Sequence, residues 1–444
     1  MMSLRLRILT LLLISSSSAL PWTAGFEQID LINIQDIKEG PPVYLAGYGK
    51  PGSKLRFASG IHDPVYASSL YLTDDRLALL FISLDTIGFS QKLGETLRQE
   101  ISRAIDIKRE NILISATHTH SAPDTQGLWG GLTPELMSQM VNRIVTSAKA
   151  AYKKRQTSTL SVLISNNGNT RNRRLLNKQE TIDQITHIVI STPHGQATAL
   201  LSSFASHPTV LREANLQVSS DWLHSYRKRL AEQFQMPEPN VLFINGVLGD
   251  VLPYLNESES WVERFELAES YGLSIANSVG SPPVKLETHL QHCTEEIEVF
   301  PDNHELITWL TQNSPETVLW TENKTLKTRV SVVRLGHITF ATVPGEPVTQ
   351  LGQAILMLRP LFPVVILGLT HDSLGYLLPL NDTGLSETSR QYEEKWSLAK
   401  GFGHRVLQTI EQLMEKCSPE ALPHALPNAL PNALPPDRTA HDSL

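Results

Sequence analysis

Three histidines stand where apolar runs of the sequence end, a common place for ligand or catalytic side chains in α/β proteins. His118 and His120 follow the run NILISA and lie two residues apart. On an extended backbone, residues two apart point to the same side, so both imidazoles are expected to face one volume. His207 ends a second apolar run and precedes a proline. One such histidine alone is more often a hydrogen-bonded structural residue, so only the combination is informative.

A carboxylate joins these histidines as a candidate ligand. Glu346 lies in the turn PGEP, and Pro347 is suited to the first position of the helix expected after it. An ionised carboxylate is favoured at such a place by the helix dipole. Histidine and carboxylate ligands with one open position are typical of catalytic zinc, so the pattern predicts a zinc centre. Two cysteines, Cys293 and Cys417, cannot form a thiolate site by themselves, and the sequence leaves open whether they pair.

These residues need a scaffold, and the chain supplies alternating apolar runs and helical patterns. The apolar runs cover residues 77–85, 111–118, 197–207, 240–250, 338–346 and 363–372. Helical patterns follow several of them, for example after Pro134 and after Pro347. The alternation predicts an α/β fold, in which functional groups gather at the carboxyl ends of strands.

Both ends of the chain look like segments outside the fold. Residues 1–24 place Arg5 and Arg7 before a short apolar run, the pattern of a secretory signal peptide. No later stretch is long enough to span a bilayer, so we expect an exported protein, periplasmic or secreted. Residues 421–436 repeat a proline-containing unit of four residues, so residues 419–444 are predicted to form an extended tail of open role. The folded domain is therefore expected over residues 25–418.

Composition excludes two classes of protein. The chain has 444 residues, of which 41% are hydrophobic, so it can bury a sizeable core and is not a disordered protein. Its formal net charge is −7, and its basic residues form only short mixed runs such as RNRR. Without a basic surface patch there is no electrostatic basis for nucleic-acid binding.

Several motifs together carry a resemblance to a known family. The segments SATHTHSAP, SHPTVL, NGVLGDVLP, VPGEP and GLTHDSLGY occur in the order, and at about the separations, found in neutral ceramidases and their bacterial relatives. GYGKPG and GIHDPVYASSLYL fit the same family, so the resemblance extends from about Val43 to Trp396. It implies mixed β-sheets flanked by helices, as in the catalytic domain of neutral ceramidase.

The resemblance also implies roles for individual residues. One residue from each of four motifs would hold zinc: His118, His207, Glu346 and Tyr376. His120 would lie beside the metal and transfer protons. His120 and Tyr376 are then the groups expected to stabilise the oxyanion and protonate the leaving group.

Three further residues fall in segments similar to those of the family. Arg173, in NRR, corresponds to an arginine near the substrate; it either pairs with a substrate carboxylate or phosphate or braces the rim through a salt bridge. Asp250, in LGDVLP, either orients a catalytic group or serves as a turn residue. Asp221 lies in SSDW, another segment similar to the family.

The chain departs from the family pattern at three places. Leu252, in GDVLP, stands where ceramidases have the serine of GDVSP, and a leucine can neither attack nor donate a proton. SAPDT replaces SGPGG after the histidine pair, which predicts a differently shaped rim. The sequence after Tyr376 is too short for the C-terminal β-sandwich domain of ceramidases, so we expect that domain to be absent.

Taken together, the sequence predicts an exported zinc hydrolase that cleaves an amide or related acyl bond through a zinc-activated water. One alternative, favoured by Leu252, is a non-catalytic zinc protein that binds a lipid or glycan; another is an esterase or deacetylase acting on an envelope sugar. The expected substrate is a small molecule or a sphingolipid-like acyl compound, with peripheral membrane contact. Leu128, Trp129 and Leu132 either form one wall of an apolar groove or join the core. Substrate and oligomeric state stay open.

Overall fold

The computed structural model describes most of the chain between its two ends. The described residues are 21–48, 55–255, 261–280, 282–315, 317–359, 363–381, 383, 385 and 392–417. The strands, in chain order, are β1 (Trp22–Asp30), β2 (Tyr44–Leu45), β3 (Arg56–Phe57), β4 (Gly60–Ile61), β5 (Tyr66–Thr73), β6 (Ala78–Leu84), β7 (Ile112–Ala116), β8 (Gln156–Asn166), β9 (Thr170–Asn172), β10 (Gln184–Ser191), β11 (Ala197–Phe204), β12 (Gln217–Val218), β13 (Val241–Asn245), β14 (Val251–Pro253), β15 (Val284–Lys285), β16 (Leu290–Val299), β17 (Leu326–Leu335), β18 (Ile338–Thr342), β19 (Glu346–Pro347), β20 (Val364–Leu367) and β21 (Tyr376–Leu377). The α-helices are α1 (Ile34–Lys38), α2 (Gln91–Ala104), α3 (Pro134–Lys153), α4 (Leu223–Gln233), α5 (Trp261–Ala276), α6 (His304–Asn313), α7 (Thr349–Met357), α8 (Tyr392–Lys395) and α9 (Phe402–Lys416).

Two mixed sheets form the centre of the fold. The large sheet has the strand order β13-β11-β10-β8-β1-β5-β6-β7, with β15 added beside β8. Its two outermost pairs, β11 with β13 and β6 with β7, are parallel, and the pairs between them are antiparallel. The second sheet has the order β16-β17-β18-β20, of which only the last pair is parallel.

The sheets pack face to face, and helices cover their outer faces. Side chains alternate between the two faces of each strand, as Phe81 and Ile82 of β6 illustrate. Phe81 belongs to an apolar cluster shared with Phe340 of the second sheet, whereas Ile82 packs with residues of α2 and α3. The helices α4 and α5 cover the other half of the large sheet, and α7 and α9 cover the second sheet. The result is a layered α/β protein, as the sequence predicted.

Local sequence explains why helix α3 begins where it does. The Thr133 side chain accepts a hydrogen bond from the Leu136 backbone N–H, and Pro134 occupies the first turn. Leu136, Met140 and Ile144 recur every four residues and are buried, so one stripe of the helix faces the sheet. The helix predicted after Pro134 is thus confirmed.

All six apolar runs contain a strand of the structure, namely β6, β7, β11, β13, β18 and β20. The helix predicted after Pro347 is also present as α7, but it begins at Thr349. The expectation that Pro347 occupies the first helical position was therefore wrong. Pro347 lies in strand β19 instead.

Residues 1–24, the predicted leader, overlap the first strand of the structure, which begins at Trp22. Cleavage after residue 24 would remove Trp22 and Ala24, which are buried in β1 and pair with β5 and β8. A leader that ends before Trp22 leaves this strand intact. Residues 1–20 and the proline-rich segment 419–444 lie outside the described residues. In the described part of the chain, no helix combines the length and the hydropathy needed to cross a bilayer.

The two cysteines form a disulfide, a point that the sequence left open. Cys293 on β16 is bonded to Cys417, which directly follows α9. The bond links positions 124 residues apart and fastens the last helix to the second sheet. Cys417 is buried in the apolar cluster between α9 and that sheet.

Reduction of this disulfide is expected to destabilise the protein by about 2–5 kcal/mol, because the bond restricts a long loop of the unfolded chain. Urea unfolding of the oxidised and the reduced protein, followed by circular dichroism, measures the change. The double variant Cys293→Ala/Cys417→Ala serves as the control, since its midpoint should not respond to reductant. An unchanged midpoint for the wild-type protein after complete reduction would contradict this role.

Candidate metal centre

His118 is held in an unusual backbone conformation just after strand β7. The strand ends at Ala116, and His118 has φ 72°, in the left-handed region. Its backbone N–H donates to the Thr86 carbonyl at 2.9 Å, and its Nδ1 lies 2.6 Å from the Ile87 carbonyl. The expectation of an extended backbone through His118 was therefore wrong. Hydrogen bonds to the chain after β6 impose the turn instead.

His207 is fixed in a similar way from the opposite end of the sheet. It lies three residues beyond the end of β11, and its Nδ1 is 2.9 Å from the Val251 carbonyl. Its backbone N–H donates to the same carbonyl at 3.2 Å. In both histidines the Nδ1 hydrogen bond selects the tautomer that leaves Nε2 free to bind a ligand.

Glu346 and Tyr376 are brought together by a pair of very short strands. The strands β19 and β21 run parallel, and Glu346 stands directly opposite Tyr376 in their register. The backbone N–H of Glu346 donates to the Gly375 carbonyl at 2.8 Å. Gly345 permits this close approach, because a Cβ atom there would lie 2.4 Å from the same carbonyl oxygen.

The carboxylate of Glu346 stands at the same distance from both histidines. Its Oε2 is 3.4 Å from His118 Nε2 and 3.4 Å from His207 Nε2. Bonds of about 2.0–2.1 Å place two donor atoms of one tetrahedral zinc ion about 3.3–3.4 Å apart. The Oε2 atom is buried, and the described residues offer it no hydrogen-bond partner. The donor types, their spacing and this unsatisfied oxygen all fit a bound cation.

Electrostatics keeps these groups in the forms that bind metal. Burial lowers the pKa of His118 to about 4, so its imidazole is neutral near pH 7. Burial raises the pKa of Glu346, whereas the neighbouring His118 and His207 lower it. The lowering is larger, so the net pKa of Glu346 lies below its ordinary value. A neutral imidazole and an ionised carboxylate are the ligand forms of these side chains.

His120 completes a cluster of three histidines. Its ring centroid lies 4.9 Å from that of His118 and 6.1 Å from that of His207. The ligand atoms of the three side chains lie within 4.8 Å of one another, so the cluster can hold a metal ion. Both ring nitrogens of His120 are buried, and among the described residues neither has a hydrogen-bond partner. Burial, followed by the other two histidines, lowers the pKa of His120 well below its ordinary value.

Arg173 holds the hydroxyl of Tyr376. Its Nη2 donates to Tyr376 Oη at 2.9 Å and to the Gly249 carbonyl at 3.0 Å. Its Nε donates to the Glu393 carboxylate at 3.0 Å. Burial raises the pKa of Tyr376 well above its ordinary value, and the charge of Arg173 opposes that rise. Two roles were considered for Arg173, pairing with the substrate and a salt bridge at the rim. The structure contains such a salt bridge, between Arg173 and Glu393.

Asp250 and Asp221 organise backbone around the site. Asp250 accepts hydrogen bonds from the Thr349 N–H at 2.8 Å and from Asn172 Nδ2 at 2.9 Å, so it joins the start of α7 to the residue before Arg173. Asp221 accepts from the Leu211 N–H at 3.0 Å and thereby fixes the turn after His207. Neither aspartate lines the cavity described next, so the structure places both in supporting positions.

An apolar cavity of about 130 Å³ opens beside the cluster. One buried water needs roughly 10–15 Å³ on the same scale, so the cavity holds far more than one water. Its polar end includes His118, His120, Glu346 and Tyr376. Its apolar lining comes mainly from Leu128, Trp129, Leu306, Trp309, Leu310, Val318, Leu374, Trp396 and Leu398.

The structure separates the three apolar residues that the sequence proposed for a groove wall. Leu128 and Trp129 line the cavity, whereas Leu132 packs against the core beneath α2 and α3. Leu252 is half-buried in strand β14 and is not among the lining residues. Strand β14 pairs with β9, and Leu252 stands opposite Arg171 in that register.

Several contributors to the site were missed from the sequence. The carbonyls of Ile87 and Val251, which orient the histidines, carry no side-chain signal. Glu393, which holds Arg173, lies in a short acidic segment that contained no motif. Helix α6 supplies three lining side chains, and the Asn303 cap with apolar residues spaced three and four apart could have indicated it.

Comparison with known proteins agrees with this geometry. A family model described as neutral/alkaline non-lysosomal ceramidase, N-terminal, matches residues 34–257, which include the three histidines. The fold is similar to the crystal structure of neutral ceramidase from Pseudomonas aeruginosa, with a TM-score of 0.72 and 15% identity over 89% of this chain and 75% of that chain. A solved structure of a ceramidase complexed with C2 gives the same TM-score and coverage at 16% identity. Since the family model covers just over half of the sequence, this chain belongs to the neutral/alkaline non-lysosomal ceramidase family.

Proposed function

We propose that this protein is a zinc-dependent hydrolase of amide or related acyl bonds. The observation that carries the proposal is the buried set of two imidazoles and one carboxylate at the polar end of an apolar cavity. Such a cavity excludes bulk water and accommodates the apolar part of a substrate. Family membership supports a sphingolipid-like acyl compound as the substrate class.

The ligand set proposed for zinc is His118, His207, Glu346 and Tyr376. Glu346 Oε2 already lies at the donor spacing of one ion from both His118 Nε2 and His207 Nε2. Tyr376 is added because it stands opposite Glu346 in the register of β19 and β21 and also lines the cavity. When bound, zinc lowers the pKa of a coordinated water to about 7 and polarises a carbonyl group.

The other groups of the site transfer protons or hold the ligands and the substrate in place. His120 has two buried ring nitrogens without hydrogen bonds to the described residues, so one can accept a proton from water and later donate it to the leaving group. Arg173 holds the hydroxyl of Tyr376, and Asp250 braces the segment that carries Arg173. The apolar lining positions the acyl chain so that the scissile carbonyl faces the cluster.

The proposed site of action is outside the cytoplasm, in the periplasm or the surrounding medium. The basic, apolar start of the sequence supports export. The disulfide between Cys293 and Cys417 supports it independently, because such bonds persist in oxidising compartments. A lipid-like substrate would be met at a membrane surface, in agreement with the peripheral contact expected from the sequence.

One observation favours a second candidate, a non-catalytic protein that binds a lipid or glycan with its metal. Leu252 replaces the serine that the family resemblance leads one to expect, and it offers no reactive group. Its position outside the cavity lining weakens this alternative, since a residue outside the lining is not needed to contact the substrate.

The protein as purified is expected to contain one zinc ion per chain. The double variant His118→Ala/His207→Ala removes both imidazole ligands and should lose the metal. Elemental analysis by mass spectrometry after gel filtration measures the content. His194→Ala, which removes an exposed histidine, is the matched control and should retain the ion. Full zinc content in the double variant would exclude this site.

His120→Ala is expected to retain zinc and to lose hydrolysis by about 10²–10⁴-fold, the range for removal of a positioned acid or base. Zinc content and turnover of a panel of amide, ester and acetyl substrates are measured on the same preparation. If zinc disappears together with activity, His120 is a ligand, and the assignment of proton transfer fails.

Leu252→Ser tests whether the missing serine matters. For a zinc hydrolase, the variant should have activity equal to or below that of the wild type, because no step requires the new hydroxyl. Leu252→Ala is the matched control, since it removes a similar volume without adding a hydroxyl. Both variants and the wild type are compared on ceramide and on the substrate panel. Activity in the serine variant alone would show that the wild type is not an enzyme.

A further inference from the structure

One buried carboxylate organises the loop that follows the histidine pair. Asp124 is fully buried and accepts four backbone hydrogen bonds from its own loop. The donors are the N–H groups of Gln126 at 3.0 Å, Gly127 at 3.0 Å, Trp129 at 2.6 Å and Gly131 at 3.0 Å. The backbone of residues 124–131 thus wraps around one side chain, and we call this segment the Asp124 loop.

The Asp124 loop is also fastened to the chain after helix α6. Ser314 Oγ donates to the Gly127 carbonyl at 2.6 Å, and Thr317 Oγ1 donates to the Gln126 carbonyl at 2.6 Å. Gly130 has φ 116°, and a Cβ atom there would lie 2.5 Å from the Tyr44 ring, so the loop passes close to that ring. The loop conformation is therefore fixed by the Asp124 carboxylate, by the chain after α6 and by the Tyr44 ring.

This loop forms one wall of the cavity, next to the histidine cluster. Leu128 and Trp129 line the cavity together with three side chains of α6: Leu306, Trp309 and Leu310. The indole N–H of Trp129 donates to the Tyr48 carbonyl at 3.1 Å, and the Tyr48 ring lies 4.9 Å from the His120 ring. Trp129 is thus tied to a residue that packs directly on the proposed proton carrier.

We propose that the Asp124 loop selects the length of the alkyl chain that the site accepts, with Trp129 as the selecting side chain and Asp124 as its positioning residue. The inference rests on the proposed acyl-bond hydrolysis. The favoured substrate part is an unbranched saturated chain, because the wall beyond the cluster is built largely of leucine and tryptophan side chains. A rigid wall limits chain length, whereas a mobile wall adapts to any length.

The Asp124 loop depends on the charge and acceptor oxygens of the Asp124 carboxylate and not on the volume of the side chain. Asparagine has almost the same shape, but its amide nitrogen would face backbone N–H groups that need an acceptor. Asp124→Asn should therefore loosen the loop while leaving the cluster of His118, His207 and Glu346 intact, since the hydrogen bonds of Asp124 join it to its own loop and to Tyr44.

Binding of straight-chain fatty acids of four to sixteen carbons to the purified full-length protein gives a readout that does not need turnover. For the wild type, affinity should rise roughly fourfold per methylene group until the cavity is full, and then level off. Trp129→Ala should move this plateau to longer chains. Trp320→Ala removes a partly buried tryptophan outside the lining and should leave the plateau in place. A plateau that Trp129→Ala does not move would overturn the inference.

Asp124→Asn should reduce the increase in fatty-acid affinity to less than about twofold per methylene group, with zinc content unchanged. Asp106→Asn, on the exposed chain after α2, is the matched control and should behave as the wild type. If Asp124→Asn does not fold, the Trp129→Ala result still decides the matter. If folded Asp124→Asn keeps the wild-type increase in affinity per methylene group, Asp124 does not position the selecting side chain.

Kinetics with acyl substrates of the same chain lengths separates this inference from the proposed function. Trp129→Ala should shift the chain length that gives the lowest KM toward longer chains, since Trp129 touches the alkyl chain. Selective binding of fatty acids without any hydrolysis would contradict the proposed enzyme and leave the selecting wall standing. Hydrolysis with no dependence on chain length would contradict the wall and leave the enzyme standing.

Discussion

Two hydrogen bonds from imidazoles to backbone carbonyls fix the geometry on which the candidate site depends. His118 Nδ1 meets the carbonyl of Ile87, and His207 Nδ1 meets the carbonyl of Val251. Each bond sets the ring orientation and the tautomer, so both Nε2 atoms face the same oxygen of Glu346. The carbonyls belong to segments after β6 and in β14, so the large sheet and a short accessory strand orient the histidines together.

The position of Glu346 creates an electrostatic problem that a cation would solve. A carboxylate that is buried with an unsatisfied oxygen loses hydration without full compensation, at a cost of roughly 1–3 kcal/mol or more. Oε2 of Glu346 faces the imidazoles of His118 and His207, and burial lowers the pKa of His118 so that its ring is neutral near pH 7. A divalent ion between these three donors would compensate the carboxylate charge and use both Nε2 lone pairs. The fold thus maintains an arrangement whose energetic cost is recovered only by ligand binding.

Much of the scaffold could be predicted from the sequence, and the detailed geometry of the site could not. Strands such as β6 and β18 follow from local hydrophobic periodicity, and α3 follows from its cap and apolar stripe. His118 illustrates the limit: the two-residue spacing from His120 led to the correct proximity through a wrong backbone conformation. Tertiary hydrogen bonds to Thr86 and Ile87 impose that conformation, and they join residues more than thirty positions apart.

The pairing of Glu346 with Tyr376 shows the same limit at longer range. A two-residue strand such as β19 has too few residues for any periodicity, so the turn PGEP gave a helix start where the structure has a strand. The disulfide was likewise undecidable, because a separation of 124 residues carries no local signal. Leu132 packs against the core although Leu128 and Trp129 line the cavity. Gly130 and Gly131, both with positive φ, lie between them, and their backbone conformation carries no signal in a periodicity pattern.

X-ray absorption spectroscopy at the zinc edge of the purified protein identifies the ligands of the proposed zinc ion, because it counts the donor atoms and measures their distances. Two imidazole nitrogens are expected at about 2.0–2.1 Å, from His118 and His207, together with oxygen donors at about 2.0–2.2 Å, from Glu346 and Tyr376. Variant His120→Ala should give an unchanged spectrum. A first shell with three imidazoles, lost in that variant, would contradict the assignment of Glu346, Tyr376 and His120.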